Sequence, residues 1–435
     1  MGEPTPTGRD PDTSRQTASF WAITAAILIL GLAFRLPGLS SRSLWIDELY
    51  SQWFSARSLV ELWTEVPQYE THPPAYYTLL KLWTAVFGDS ELGLRSLSLV
   101  ASLATIAVIA VSGKLVRLGG GLIAALLLAV NFANIRDAQN VRPYALQALF
   151  CTLAIVAALV LLARLSRHAA DRAPMPGWLA PASVLGMSVG CALWIHNTSL
   201  FIAFGIWCGL ALSLIVTPAE RRLRHLAIFV AAGLLALLVW APYLPLFVQQ
   251  SRGFSGLAFW LEPKARDLYS AWMLVLGESW RALAVTLLLL GLGLFRLSRS
   301  APFLALPVVA ILLVPLSTIL ALSFTFKPIY IQRLFAWMVP LALLVMAIGI
   351  LASTGRRWLR VTLVLVVTAF AAVRSVDDID RPIDDWKAIV AEIAQNARPG
   401  DVVIATPAEG SIALGYYVQR QAQFPPVICI PGCYP

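Results

Sequence analysis

Apolar runs of about twenty residues, parted by short polar segments, recur along most of the chain; each has the length an α-helix needs to cross a bilayer. The first runs from Phe20 to Leu39. Others follow near residues 93–114, 119–135, 144–163, 179–197, 198–216, 226–248, 281–297, 302–323, 333–352 and 361–374. The pattern predicts an all-α polytopic membrane protein with about eleven spans. The segment 76–88 is shorter and reads as re-entrant or interfacial. Residues 1–17, rich in Pro, Thr, Asp and Arg, are expected to form a disordered cytoplasmic tail. Residues 18–375 then form the membrane domain, with 40–92 as its first outer loop.

The pattern changes after Arg374. Trp386, Ile389, Val390 and Ile393 share one helical face, Pro399-Gly400-Asp401 makes a turn, Val402–Ala405 reads as a buried strand, and another helix follows. Residues 376–435 are thus expected to form a small α/β domain, placed outside by an odd number of spans. It stops abruptly at Pro435, which reads as an incomplete domain.

Composition agrees with a membrane chain. Hydrophobic residues are 58% of 435, charged residues 13%, and mean hydropathy is +0.74, which excludes a soluble globular protein. The net charge of +9 does not point to nucleic acid, because the cations are scattered in small groups between apolar runs. Lys114/Arg117, Arg164/Arg167/Arg172, Arg221/Arg222/Arg224, Arg296/Arg299 and Arg356/Arg357/Arg360 fall on one side, which is therefore cytoplasmic. Arg95, Arg136, Arg142, Lys264, Arg266, Lys327 and Arg333 fall on the other, mixed with Asp, Glu, Tyr and His. An anionic ligand at the outer face would explain cations retained against the usual bias. Cys151, Cys191 and Cys208 lie in apolar spans, whereas Cys429 and Cys433 could pair if their segment is extracytoplasmic.

The densest polar chemistry lies between Trp45 and Lys81. Ile46, Leu49, Trp53 and Ala56 predict an amphipathic interfacial helix, and Ser58 with Glu61 has the form of a capping box for a second. Pro73 and Pro74 start a third, carrying Tyr76, Tyr77 and Lys81. Asp47 and Glu48 are adjacent, and at about 100° per residue they cannot point the same way, so their jobs differ. The plainer reading of Asp47 is a helix N-cap.

Later outer segments carry matching groups. Arg142 precedes Pro143, and a guanidinium at a helix start can cradle phosphate; alternatively Arg142 pairs with Asp137. His196-Asn197-Thr198 could contact a ligand or cap a helix, and Arg333 could join the site or snorkel. Trp240, Tyr243 and Trp337 read as interface or packing residues. One outer cavity with a carboxylate base, arginines and an aromatic-lined groove would suit group transfer from a lipid-linked phosphate to a hydroxyl.

These residues also resemble a known group, the GT-C fold glycosyltransferases that use polyprenyl-phosphate sugars, among them protein O-mannosyltransferases and aminoarabinose transferases. Arg35-Leu36-Pro37-Gly38 with Leu44-Trp45-Ile46-Asp47-Glu48 looks like the end of the first span and its acidic motif. His72-Pro73-Pro74-Ala75-Tyr76-Tyr77, with Gly88, Glu91 and Arg95, is similar to the HPP-LYY and FG-SE-LR pattern. Gln139-Asn140-Val141-Arg142-Pro143-Tyr144 looks like Q-EARPY, with Asn140-Val141 where Glu-Ala is frequent. Asp385-Trp386 and Arg398-Pro399-Gly400-Asp401 resemble the start of the C-terminal domain.

The resemblance implies an inverting transfer of mannose or a related sugar from a polyprenyl-phosphate donor to an acceptor hydroxyl of a glycan, lipid or protein, at the extracytoplasmic face of the cell membrane. Asp47 would be the general base, with Glu48 supporting it or binding a metal. His72, Arg142, Arg333 and Lys81 would bind the donor phosphate, and Tyr76, Tyr77, Tyr144 and His196 the substrate. A divalent cation such as Mg or Mn, with Glu48 and His72 as ligands, is compatible with the group but demanded by no ligand spacing. A transporter or flippase of lipid-linked glycans is the rival; it would place ionisable residues at mid-membrane and paired broken helices in two related halves. Neither the sugar nor the acceptor is chosen by these motifs.

Overall fold

The computed structural model describes residues 11–167, 177–256, 262–379, 384–406, 409–421, 423–430 and 432–433. Helix α1 (Pro11–Arg35) is already formed across residues 11–17, where a disordered tail was expected. Extending a nucleated helix by a few residues is far easier than starting one, so the apolar run carries its polar lead-in with it. Residues 1–10 of the tail lie outside the described residues.

Three short helices follow, α2 (Ile46–Ala56), α3 (Leu59–Thr64) and α4 (Pro74–Phe87). The capping box forms as the sequence predicts: Glu61 N donates to Ser58 Oγ at 3.2 Å, and Ser58 N to Glu61 Oε2 at 2.8 Å. Pro74 opens α4, and Gly88, at φ +78°, ends it in a conformation that other residues resist.

Next come α5 (Glu91–Val116), α6 (Gly121–Ala129), α7 (Phe132–Ala138) and α8 (Tyr144–Arg167). The apolar run read as one span over 119–135 is in fact α6 and α7, bent by 63°. Side chains occupy the break. Arg35 donates to Ala129 O at 2.8 Å and Leu128 O at 3.3 Å, satisfying carbonyls that α6 leaves open. Asn131 accepts from Asn134 N at 2.9 Å, capping α7, and its amide donates to the carbonyls of Leu274 and Val275.

The rest of the membrane body is α9 (Leu179–Ile195), α10 (Ser199–Ser213), α11 (Ala219–Trp240), α12 (Leu244–Gly256), α13 (Asp267–Leu276), α14 (Trp280–Ser300), α15 (Pro302–Thr325), α16 (Val339–Ser353) and α17 (Arg357–Ile379). Among the described residues, eight helical stretches are long and apolar enough to span a membrane, or nine if α6 and α7 count as one. This is fewer than eleven because the runs 179–197 and 198–216 yield helices of only 17 and 15 residues, parted at His196-Asn197-Thr198. The protein is thus a multi-pass membrane protein. Its centre is α8 and the helical stretch ending in α16, the two most enclosed. Small residues bring backbones together there: a Cβ on Gly349 would lie 2.1 Å from Leu289 O, and one on Gly293 2.0 Å from Val345 O.

The last segment contains α18 (Trp386–Asn396), β1 (Val403–Ala405), α19 (Gly410–Val418) and β2 (Val427–Cys429). The strands pair in parallel, with Val403 opposite Val427 and Ala405 opposite Cys429. Cys429 and Cys433 form a disulfide. This segment packs on the first loop: Leu44 N donates to Tyr417 Oη at 2.7 Å, Lys387 Nζ lies 2.8 Å from Glu91, and Tyr416 Oη donates to Asp89 O.

Candidate active site

Asp47 and Glu48 point apart, as their adjacency on α2 requires. Trp45 is the N-cap, so Asp47 is not, and its carboxylate is left for other contacts. Glu48 is wholly buried and takes a bidentate grip from Arg95, with Nε to Oε1 at 2.8 Å and Nη2 to Oε2 at 2.6 Å. Its oxygens also accept from Val141 N at 2.9 Å and Trp45 N at 3.2 Å. Arg95 in turn donates to the carbonyls of Leu39, Arg42 and Ser43. Glu48 is therefore held by Arg95 and two backbone amides, and it also lines the cavity beside Trp45. It ties the first outer loop to the second, where Asn140 Oδ1 also accepts from the Trp45 indole at 2.6 Å. That contact occupies the position where a carboxylate was missed in the sequence.

On the other side of α2, Asp47 is half-buried. Its Oδ2 lies 3.4 Å from Arg333 Nη2, and its backbone carbonyl accepts from Arg142 Nη1 at 3.3 Å. Arg333 neither snorkels nor stands alone, and Arg142 does not pair with Asp137; Asp137 faces Arg136 instead, at 3.8 Å. Arg142 Nη2 sits 3.3 Å from His72 Nε2, and His72 Nδ1 is 2.6 Å from Glu70 Oε1. A guanidinium can only donate, so the tautomer that satisfies both contacts carries its proton on Nδ1 and offers the Nε2 lone pair to Arg142. Burial pushes the Glu70 carboxyl up, but the His72 contact and Arg142 outweigh it and hold the group at about 2. Burial likewise disfavours a charged Arg142, and Tyr144, Tyr77, Asp47 and Glu70 reverse the effect, keeping it a cation.

Glu70 was not singled out in the sequence, although it stands two residues before His72, within reach of a turn. The loop that carries both is pinned by Gln250, equally unmarked there, which donates to Glu70 O at 2.7 Å and His72 O at 3.1 Å, and by Asn197, which donates to Thr71 O at 2.8 Å. Tyr243 bonds both Asn197 and Gln250.

Tyr144 and His196 complete the group. The Tyr144 ring lies 5.8 Å from both the Arg142 and Arg333 guanidinium carbons and 5.7 Å from the His196 ring, which meets His72 edge-on at 5.1 Å. Burial, with the Arg142 and Arg333 charges adding to it, holds His196 well below the ordinary histidine range. Trp45 flanks Arg333 at 5.8 Å. Three buried polar atoms here, Arg142 Nε, Arg333 Nε and His196 Nε2, have no hydrogen-bond partner among the described residues.

Other expected members are elsewhere. Lys81 reaches Ser55 O at 3.4 Å, near the C-terminal end of α2, whereas Arg142 meets Asp47 O near its start. Tyr76 and Tyr77 are fully buried in the packing of α2, α4 and α5, and their hydroxyls have no hydrogen-bond partner among the described residues. The pair Glu48 and His72 does not fit a divalent cation, because the first is consumed by Arg95 and two amides and both ring nitrogens of the second are engaged. A cavity of about 170 Å³ adjoins the site beside Trp45, lined by Arg42, Ser43, Arg136, Gln139, Asn140 and Asp385.

Residues 71–245 match the family of dolichyl-phosphate-mannose-protein mannosyltransferases. No curated protein sequence matches the chain. Its structure is similar to ArnT from Cupriavidus metallidurans in the apo state, with a TM-score of 0.60 at 12% identity over 96% of this chain and 86% of that one. The same protein bound to undecaprenyl phosphate gives 0.51 at 14% identity, over 95% and 90% of the two chains. The oligosaccharyltransferase AglB from Archaeoglobus fulgidus, in complex with an inhibitory peptide and a dolichol-phosphate, gives 0.55 at 13% identity over 91% of this chain. The chain spans 63% of the length of that AglB chain. With its polytopic helical body, short helices in the first loop and small C-terminal α/β segment, the chain shares the fold of ArnT and AglB, the GT-C fold.

Proposed function

We propose that the protein is an integral-membrane glycosyltransferase that moves a sugar from a polyprenyl-phosphate carrier to an acceptor hydroxyl at the outer membrane face, with inversion. The observation that carries this reading is the set of unpartnered donors, Arg142 Nε and Arg333 Nε, buried beside the carboxylate of Asp47. Two cations with open donor positions suit a phosphate, and a carboxylate next to them suits a proton acceptor.

In the proposed reaction the acceptor oxygen attacks the anomeric carbon from the side opposite the phosphate. The bond from that carbon to the phosphate oxygen breaks, and its electron pair leaves on polyprenyl phosphate. The acceptor proton passes to Asp47. Arg142 and Arg333 stabilise the charge that grows on the departing phosphate, a contribution that strengthens toward the transition state. When Arg333 turns to the phosphate, it loosens from Asp47 and frees that carboxylate to accept the proton. The relay from Glu70 through His72 holds Arg142 in place. The comparisons support the reading at the level of kind: ArnT and AglB are described with polyprenyl or dolichol phosphates. Mannose is supported only by the name of the family matched over residues 71–245.

The test is transfer by purified protein from radiolabelled polyprenyl-phosphate sugars to membrane extract, with wild type beside Asp47→Asn. Transfer by wild type alone supports the enzyme and its base. Lipid-phosphate binding without transfer from any sugar donor would favour transport, a reading to which the break between α6 and α7 and the buried Arg35 at that break also lend some weight.

A further inference from the structure

The proposed reaction uses Arg142 and Arg333 but leaves idle a third buried group of the site with an open nitrogen, His196 Nε2. His196 is 5% exposed and stands where α9 gives way to α10. Its other nitrogen is claimed by its own chain segment, with Thr198 N at 3.2 Å and Thr198 Oγ1 at 2.8 Å from Nδ1. A backbone amide only donates, so Nδ1 is an acceptor. Gln147, on α8, turns the hydroxyl the same way. Its Nε2 donates to Thr198 Oγ1 at 3.0 Å and Ser199 Oγ at 3.2 Å, which leaves the Thr198 proton for Nδ1. The ring proton therefore sits on Nε2. Burial and the charges of Arg142 and Arg333 keep a second proton off the ring. His196 thus holds an uncharged N–H with no hydrogen-bond partner among the described residues. It does so inside the cluster that carries Arg142: its ring meets His72 at 5.1 Å, and His72 Nε2 is 3.3 Å from Arg142 Nη2. A buried donor left open is costly, and a ligand oxygen would relieve it.

We propose that His196 reads the sugar of the donor: its Nε2–H bonds the hydroxyl on the carbon next to the anomeric centre, beside the phosphate that Arg142 and Arg333 hold. This assignment rests on the donor reading of the site given above. A phosphate selects charged donors, and the two guanidiniums serve it. An uncharged imidazole N–H suits an uncharged acceptor, and in an aldose the hydroxyl nearest the breaking bond is the 2-hydroxyl. The ring oxygen, the other neighbour of the anomeric carbon, loses electron density as the bond to phosphate breaks and becomes a poorer acceptor. Hydrogen bonds to the 2-hydroxyl instead strengthen toward the transition state. Gln147 and Thr198 act through the ring, as positioning residues that fix its tautomer. A site built this way rejects a sugar that lacks the hydroxyl, because Nε2–H then stays buried and unpaired.

The experiment is steady-state transfer by the full-length protein in detergent from polyprenyl-phosphate mannose, glucose, galactose and arabinose and from their 2-deoxy analogues. Wild type is run beside His196→Phe and, in case that variant fails to fold, His196→Asn, whose shorter amide stops short of the sugar. Wild type should lose about tenfold in kcat/KM on the 2-deoxy form of the donor it uses. The variants should lose about tenfold on the hydroxylated donor and little more on the analogue, so that their discrimination falls toward one. A part in packing alone would slow both donors alike and leave the ratio where it was. The tautomer has its own readout in nitrogen NMR of histidine-labelled protein: the signals that His196→Asn removes should be those of a neutral ring protonated on Nε2 at pH 7. Wild-type discrimination in a folded variant, or a ring that is charged or protonated on Nδ1, would overturn the assignment while transfer by wild type keeps the enzyme. Wild type inactive with every donor would instead remove the glycosyltransferase reading, and this assignment with it.

Discussion

Arg95 and Glu48 form a two-point ion pair whose side chains are 3% and 0% exposed, at the meeting of the first outer loop, α5 and the loop before α8. Breaking such a pair from one side leaves a buried charge without a partner. Arg95→Met or Glu48→Gln is expected to cost about 3–5 kcal/mol in thermal unfolding. The double variant Arg95→Met/Glu48→Leu should cost less than the sum of its single changes, because no charge remains. Some loss persists, since Trp45 N and Val141 N lose their acceptor. A double-mutant cycle measured by unfolding in detergent checks this, and strict additivity would exclude the pairing.

Arg142 uses two different nitrogens to reach His72 and the carbonyl of Asp47. A lysine has the charge but only one nitrogen, and it cannot span both. Arg142→Lys should lower kcat/KM for the donor about tenfold, through a fall in kcat as well as a rise in donor KM, and Arg142→Ala should do more. Steady-state kinetics at saturating acceptor separate the two parameters. A kcat/KM unchanged in both variants would take Arg142 out of the donor site.

Tyr417 belongs to the C-terminal segment, yet its hydroxyl accepts from Leu44 N, one residue before the cap of the helix that carries Asp47. Tyr417→Phe removes one buried hydrogen bond and should cost about 1 kcal/mol of stability. If that bond positions α2, kcat falls while donor KM stays. A variant with wild-type kcat would confine Tyr417 to packing.

Acid should weaken the fold in two separable steps. His196 is held well below 6.5, so the unfolded chain binds a proton there first, and stability from this group is present above about 6.5 and lost as pH falls below it. Glu70 is held at about 2 against an ordinary 4.5, so its contribution is full above 4.5 and lost between 4.5 and about 2. Melting temperatures of wild type and Glu70→Gln should therefore run parallel from pH 7 to 5. Below 4.5 the wild type should fall more steeply. Parallel curves down to pH 3 would deny the Glu70–His72 pair any role in stability.

Much of the architecture is a local matter and could be read from the chain. Apolar runs declare spans, because hydrocarbon tolerates no open backbone polar group. Ser58 and Glu61 declare a cap, since three residues of spacing bring each side chain to the other's amide. That Asp47 and Glu48 must diverge follows from helical pitch alone. What length and hydropathy could not show is where an apolar run bends, as between α6 and α7, because the cause is Arg35 and Asn131 reaching across the fold.

The site itself is a product of distance in sequence brought to contact in space. Asp47 was legible by its motif, but its partner Arg333 lies 286 residues away, and Arg142 meets His72 across 70. Nothing in either segment marks those pairings. The same holds for surroundings: only packing shows that Glu48 meets Arg95, that Lys81 meets Ser55 O, and that Tyr76 and Tyr77 sit in the core around α4. Sequence determined which groups exist and which helix faces carry them. Tertiary structure decided which are buried with partners and which keep a free donor, because desolvation and hydrogen bonding depend on neighbours the chain order does not name.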